Sequence, residues 1–214
     1  MKVLVIGAAG KTGEAIVQQA LADGHEVTAF VHSPEEYKPV QYDPSAVRVV
    51  AGDARDAAAV LAAVQGQDAV LDALGGHLPF IETTLETDSA KNVIDAMLQA
   101  GVRRLVVVST IGEGDSLANV HSFYKHFIMP TLLRGVMKDK AGLKSVVQQS
   151  SLDWTIVRPA GLSDGDPKGV RIVDPESSEK VRFITRADVA HFIVEQLNSN
   201  QYLHQAVGIA NPPD

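Results

Sequence analysis

The chain has 214 residues, 45% of them apolar and 21% charged, no cysteine, and a formal net charge of −7. That length suits one domain, the apolar content excludes a disordered chain, and the acidic balance argues against nucleic acid as the main partner. Without cysteine there is no disulfide, thiol nucleophile, iron–sulfur cluster or thiolate zinc site.

Val3–Ile6 is a short apolar run, as in a strand buried on both faces. Ile16, Val17, Ala20 and Leu21 recur at helical spacing until Gly24, and Glu26–Val31 reads as a second strand. Val47–Ala51 is a third strand, Asp56–Val64 an alanine-rich helix, and Asp68–Leu71 a fourth strand. Asp88–Ala100 is the clearest amphipathic helix: Ala90, Val93, Ile94, Met97 and Leu98 share one face, and Gly101 is placed to end it. Leu105–Val108 is a fifth strand. From Ile111 to Ser151 glycines and charges come early, and a helical pattern (Leu143, Val146, Val147) comes late. Thr155–Val157, Val170–Val173, Val181–Ile184 and Ala206–Ala210 read as later strands, with a helix from a Thr185 cap to Leu197 before the last.

Strands alternating with helices predict an α/β fold: a doubly wound parallel sheet with helices on both faces. Its ligand edge lies at the carboxyl ends of the strands. No repeat or linker divides the chain, so a single domain over 1–214 is expected, with the substrate region built from loops 111–139 and 160–183. The longest uncharged run, Gln196–Pro213, is too rich in Asn, Gln and Pro to cross a bilayer. Met1–Gly7 lacks a secretory pattern, so we expect a cytoplasmic protein with no membrane partner.

The strongest local signal is Gly7-Ala8-Ala9-Gly10-Lys11-Thr12-Gly13, between a buried strand and a helix. One glycine permits a tight turn, the next lets backbone approach a pyrophosphate, and the third lets helix pack on strand. The turn, with Ala9, Lys11 and Thr12 between its glycines, predicts a dinucleotide site. NAD enzymes end the second strand with a carboxylate that binds ribose hydroxyls. Here the sequence is Phe30-Val31-His32-Ser33, with Glu35 and Glu36 only later, which favours NADP(H) over NAD(H). His32 and Lys11 are then candidate phosphate contacts; the plainer alternative for His32 is an exposed loop histidine.

The glycine turn does not stand alone. Gly52-Asp53 follows the third strand, Asp72-Ala73-Leu74-Gly75-Gly76 the fourth, and Ser109-Thr110 the fifth. Leu152-Asp153-Trp154-Thr155-Ile156-Val157-Arg158-Pro159 and Ile184-Thr185-Arg186-Ala187-Asp188-Val189-Ala190 come later. Together these resemble the atypical short-chain dehydrogenase/reductases with a single NAD(P)H-binding domain, nearest to biliverdin-IXβ reductase/flavin reductases and NmrA-like proteins. The resemblance spans about residues 1 to 200 and implies a single-domain Rossmann fold. It implies that Asp53 accepts from the adenine amino group, with the Ala54 backbone beside it. Leu74 and Gly75 would line the ribose side. Ser109 and Thr110 would lie near the ring and substrate, and Lys140 would hold the nicotinamide ribose. A turn aspartate, a Gly75-Gly76 turn and a solvated helix lysine are the plainer alternatives. Arg158, Pro159 and Asp188 read as structural.

The family's usual acid is a tyrosine four residues before that lysine, and here the position is Val136. Tyr124 is followed by Ile128, so it is not the same motif displaced. Biliverdin-IXβ reductases carry Ser where Ile111 stands and His where Lys140 and Gly161 stand, which points away from biliverdin itself. His121-Ser122-Phe123-Tyr124-Lys125-His126-Phe127 is either the wall of a pocket for a flat ligand, with Tyr124, His126 and Gly161 as substrate contacts, or a helix with Phe123 and Phe127 on its apolar face. No carboxylate set supports a metal there.

The expected function is therefore an NAD(P)H-dependent oxidoreductase that passes hydride to a small delocalised acceptor such as a flavin or quinone, with Ser109 and Lys140 at the reacting end. The alternative is a non-enzymatic NADP(H)-binding redox sensor of the NmrA-like type. A sugar-nucleotide epimerase ranks third. Oligomeric state stays open.

Overall fold

In the computed structural model, residues 1–40, 42–75, 83–122, 124–131, 133–177 and 179–213 are described. The chain runs β1 (Lys2–Ile6), α1 (Lys11–Ala22), β2 (Glu26–Val31), β3 (Arg48–Ala51), α2 (Ala57–Val64), β4 (Ala69–Asp72), α3 (Leu85–Ala100) and β5 (Arg104–Val108). It continues through α4 (Met129–Thr131), α5 (Arg134–Gln149), β6 (Asp153–Pro159), β7 (Gly161–Ser163), β8 (Arg171–Val173), β9 (Phe183–Thr185), α6 (Arg186–Glu195) and β10 (Gln205–Ala210).

The main sheet runs in the order β3-β2-β1-β4-β5-β6-β10-β8. Neighbours pair in parallel except β10 with β8. Alternate residues of β1 explain its unbroken apolar sequence. Val3 and Val5 enter the layer of α1 and α6. Leu4 and Ile6 enter the layer of α2, α3 and α5. Both faces are covered, as a parallel sheet requires. This is the expected doubly wound Rossmann architecture. Strand order reverses between β1 and β4, so the ends of those strands frame the crevice where ligands bind.

Gly101 ends α3 in the left-handed conformation at φ 74°, and the Thr185 hydroxyl caps α6 by accepting from the Asp188 amide at 3.1 Å. Three elements differ from expectation. The helix α3 begins at Leu85 rather than Asp88, because the Asp139 carboxylate of α5 accepts from the Glu86 and Thr87 amides at 3.0 and 2.9 Å. That cap comes from a distant element and leaves no local signature. The helix α5 starts at Arg134, well before its marked apolar residues. The strand β7 pairs in parallel with β9 and was not expected at all, being three residues long and starting with glycine. No described helix is long and apolar enough to cross a membrane.

Candidate functional site

The three glycines after β1 have different roles. Gly7 sits at φ +75°, and a β-carbon there would come within 2.8 Å of the Ala73 carbonyl and the Leu74 amide. At Gly13 a β-carbon would fall onto the Gly7 carbonyl oxygen and within 2.8 Å of the Ala8 Cα. Both are therefore required by backbone packed on backbone. Gly10 is not. Its φ is −77°, and a β-carbon would meet nothing nearer than the Gly7 oxygen at 3.4 Å. As N-cap of α1 it offers no side-chain bond to the amides of the first turn. Open backbone at a helix N-terminus is what a pyrophosphate needs, so this turn fits a dinucleotide.

A cavity of about 520 Å³ opens beside the turn. It brings together Gly7, Ala9 and Gly10 after β1, His32 after β2, Asp53, Ala54 and Arg55 after β3, and Leu74 and Gly75 after β4. These are the expected adenine, ribose and phosphate positions, contributed by four strand ends. Lys11 and Thr12 stand beside it, in the first turn of α1. The Lys11 ammonium is 3.0 Å from the Asp164 carboxylate, which Arg186 also holds at 2.5 Å. A larger hollow of about 650 Å³ lies between Asp23, His25 and Tyr202, at the amino ends of β2 and β10 and away from the ligand edge.

At the adenine end, Asp53 accepts from the Arg55 amide at 2.8 Å and from its guanidinium at 2.8 and 3.2 Å. Those guanidinium and amide donors hold the carboxyl down at about 2. Sequence reasoning missed Arg55, although Asp-x-Arg at a strand end is a visible pattern. His32 is exposed, and the carboxylate that faces it is Asp53 after β3, across the cavity.

A second group of charges fills the ends of β4, β5 and β6. Asp72 is buried and accepts from the Leu74 amide at 3.0 Å. Burial pushes its carboxyl up to about 7; the Leu74 amide opposes this, Glu86 adds to it, and Lys140 opposes it. Lys140 donates to Glu86 of α3 at 2.8 Å, with both side chains largely buried. Its ammonium thus lies in a basin of carboxylates rather than in solvent. Ser109 donates to Glu113 at 3.2 Å, and burial raises the Glu113 carboxyl against the pull of Lys144. Lys144 lies 3.8 Å from both Glu113 and Asp115, and the buried Arg158 binds Asp115 and the Ala206 carbonyl. Thr110 bonds the Ile111 carbonyl at 3.3 Å. Sequence reasoning singled out neither Glu86 nor Glu113, because nothing local marks a buried acid.

The aromatic–histidine cluster is partly visible. Tyr124 begins a π-helical turn, Tyr124–Ile128, and its side chain lies outside the described residues, as do Phe123 and Gly76. His126 is exposed, with Nδ1 2.8 Å from the Ser122 carbonyl oxygen. Phe127 is 61% exposed, so it is not the buried face of a core helix. Gly161 is exposed, and a β-carbon there would meet the Arg182 carbonyl oxygen at 2.7 Å and the Phe183 ring at 3.1 Å. Arg158 and Asp188 are structural, the latter tying Lys168, Gly169 and Asn211 together. Among the described residues no group of three His, Asp or Glu is placed to hold a metal.

Comparison with known proteins agrees with this geometry. The NAD(P)H-binding family profile matches residues 7–200. The chain is 32% identical, over 97% of its length, to 76% of the uncharacterised chloroplastic protein At2g34460 of Arabidopsis thaliana. It superposes with a TM-score of 0.81 and 28% identity on ChuY, an anaerobilin reductase from Escherichia coli O157:H7, covering 100% of this chain and 98% of that one. A short-chain dehydrogenase/reductase of Veillonella parvula in complex with NADP shares the fold, with a TM-score of 0.83 at 16% identity over 99% of this chain and 94% of its own. The family profile covers most of the chain, and the chain belongs to the NAD(P)H-binding family.

Proposed function

We propose that the protein is an NAD(P)H-dependent reductase of a small, planar, delocalised acceptor, with NADP(H) preferred. The observation that carries this reading is the pairing of a dinucleotide cleft with an adjoining strand edge whose usual acid position is Val136. When bound, the nicotinamide supplies a hydride. The protein's share is positioning and electrostatics. The amides of the first turn of α1, beyond Gly10, would receive the pyrophosphate, and Asp53, fixed by Arg55, would accept from the adenine amino group. His32 and Arg55 would face a ribose phosphate; Lys11 flanks the turn. The Lys140 ammonium has three donors and gives one to Glu86, leaving others for the nicotinamide ribose. Ser109, with Thr110 beside it, would face the reacting ring. Tyr124, His126 and Gly161 would border the acceptor.

Without a tyrosine, simple ketones lack a ready proton, whereas flavins and quinones spread the incoming charge into their rings. A missing general acid costs roughly 10²–10⁴-fold. Likeness to ChuY supports the planar class, since its acceptor is a tetrapyrrole. The test is NADPH oxidation at neutral pH with a flavin, a quinone and an aliphatic ketone. Turnover of the first two and near inertness to the third is expected. Efficient ketone reduction at neutral pH would refute the acceptor class. Tight NADPH binding with no turnover of any acceptor would favour the sensor.

A further inference from the structure

Reducing an acceptor takes up a hydride and a proton, and Val136 has no proton to give. The structure places a carboxyl directly behind the Ser109 hydroxyl. Ser109 follows β5 on the ligand edge and donates to Glu113 Oε2 at 3.2 Å. Both are nearly sealed, at 4% and 5% exposure. The charges facing Glu113 come from two elements. Lys144 of α5 has its ammonium 3.8 Å from Glu113 Oε1, and Lys140 of α5 adds a weaker pull. Arg158 of β6 reaches the Glu113 carbonyl at 3.5 Å. Each cation is shared: Lys144 and Arg158 with Asp115, and Lys140 with Glu86. Burial outweighs these cations and raises the carboxyl above its ordinary range.

Resting on the reductase reading, we propose that Glu113 is the proton reservoir of the site and works through Ser109 in place of the absent tyrosine. When Glu113 is ionised, the Ser109 hydroxyl donates to it, as observed. When Glu113 is protonated, its O–H donates to Ser109 Oγ and frees the serine hydrogen to point at the acceptor. As the acceptor gains its hydride from the reduced nicotinamide, Ser109 releases its proton to the acceptor's oxygen or nitrogen. Ser109 takes a proton from Glu113 in the same step. The acceptor has then gained a hydride and a proton, two electrons and two protons in all; the oxidised cofactor leaves, and solvent reprotonates the carboxylate. Glu113 is thus a positioning residue that stores the proton. Because its protonated fraction grows as pH falls, slow ketone reduction should rise toward acidic pH.

The test uses the full chain and two readouts. The first needs no turnover: a ¹³C-glutamate NMR titration, with the Glu113 signal assigned by its loss in Glu113→Gln. We expect a midpoint above the usual glutamate range, moving further up in Ser109→Ala, since the serine bond favours the charged form. The second is the pH profile of the slow NADPH-dependent reduction of an aliphatic ketone, the acceptor that most needs the proton. In the native protein kcat should fall as pH rises through the NMR midpoint. Glu113→Gln should flatten that limb and lower kcat about tenfold or more, with NADPH affinity unchanged, while Glu113→Asp restores part of it. An ordinary titration, or one indifferent to Ser109→Ala, would overturn the proposal, as would a native profile in Glu113→Gln. A native protein that binds NADPH yet reduces nothing would instead sink the reductase reading. The NMR titration would still decide whether Glu113 stores a proton for Ser109.

Discussion

The glycine turn after β1 and the charged basin after β4 and β5 share one edge of the sheet but are held by different physics. In the turn, backbone packs on backbone, Gly13 against Gly7 and Gly7 against Ala73 and Leu74, and only at Gly10 is there room for a β-carbon. In the basin, side chains from α3, α5 and β6 meet around buried charge; Lys140 and Glu86 are 54 positions apart. The first region fails by steric contact and is indifferent to pH. The second fails by uncompensated charge and is governed by pH.

The largest contrast should come from two glycines in one turn. Gly13→Ala places a methyl on the Gly7 carbonyl and should prevent recovery of folded protein. Gly10→Val should leave the melting temperature within a few degrees while abolishing NADPH binding, measured by cofactor fluorescence. A valine variant that binds normally would move the phosphate site elsewhere. Next in size is Lys140→Met, which leaves Glu86 buried without its cation. Breaking a buried pair costs about 3–5 kcal/mol, to be read by urea denaturation.

Asp72→Asn should act in the opposite direction. The native Asp72 carboxyl is raised from 3.8 to about 7. Between those values the folded state binds a proton that the unfolded state has lost, so stability falls as pH rises through the window. Asparagine keeps an oxygen for the Leu74 amide and removes the penalty. The variant should match the native protein near pH 4 and exceed it by on the order of a few kcal/mol at pH 8. Equal stability at pH 8 would show that Asp72 is solvated. The smallest effect concerns cofactor choice. His32→Ala with Arg55→Gln should weaken NADPH binding about tenfold and leave NADH nearly unchanged. Comparable native affinities for both cofactors would remove the preference.

The same division decides what could be read from the sequence. The glycine turn, His32, Asp53, Ala54, Leu74 and Gly75 could be expected together because each follows a strand, and the topology alone brings those strand ends to one cavity. Parallel strands buried on both faces also gave continuous apolar runs, so β1 and β2 were visible almost residue for residue. Arg55 was overlooked although its spacing from Asp53 is visible, but Glu86 and Glu113 were not legible. Each is an ordinary charge in an ordinary local context, and its role arises from a partner or from burial that spacing does not encode. The start of α3 was missed for the same reason, its cap being lent by Asp139.

That loan has a consequence for insertions and deletions. Asp139 and Lys140 are adjacent in α5, and both reach the first turn of α3, one to its amides and the other to Glu86. Farther along the same helix, Leu143 and Val147 are locked into the core. An α-helix turns about 100° per residue, so one residue added between Lys140 and Leu143 would swing both groups off α3 together. The four positions from Lys140 to Leu143 are therefore fixed in number, because they set how α5 meets α3 and the core at once.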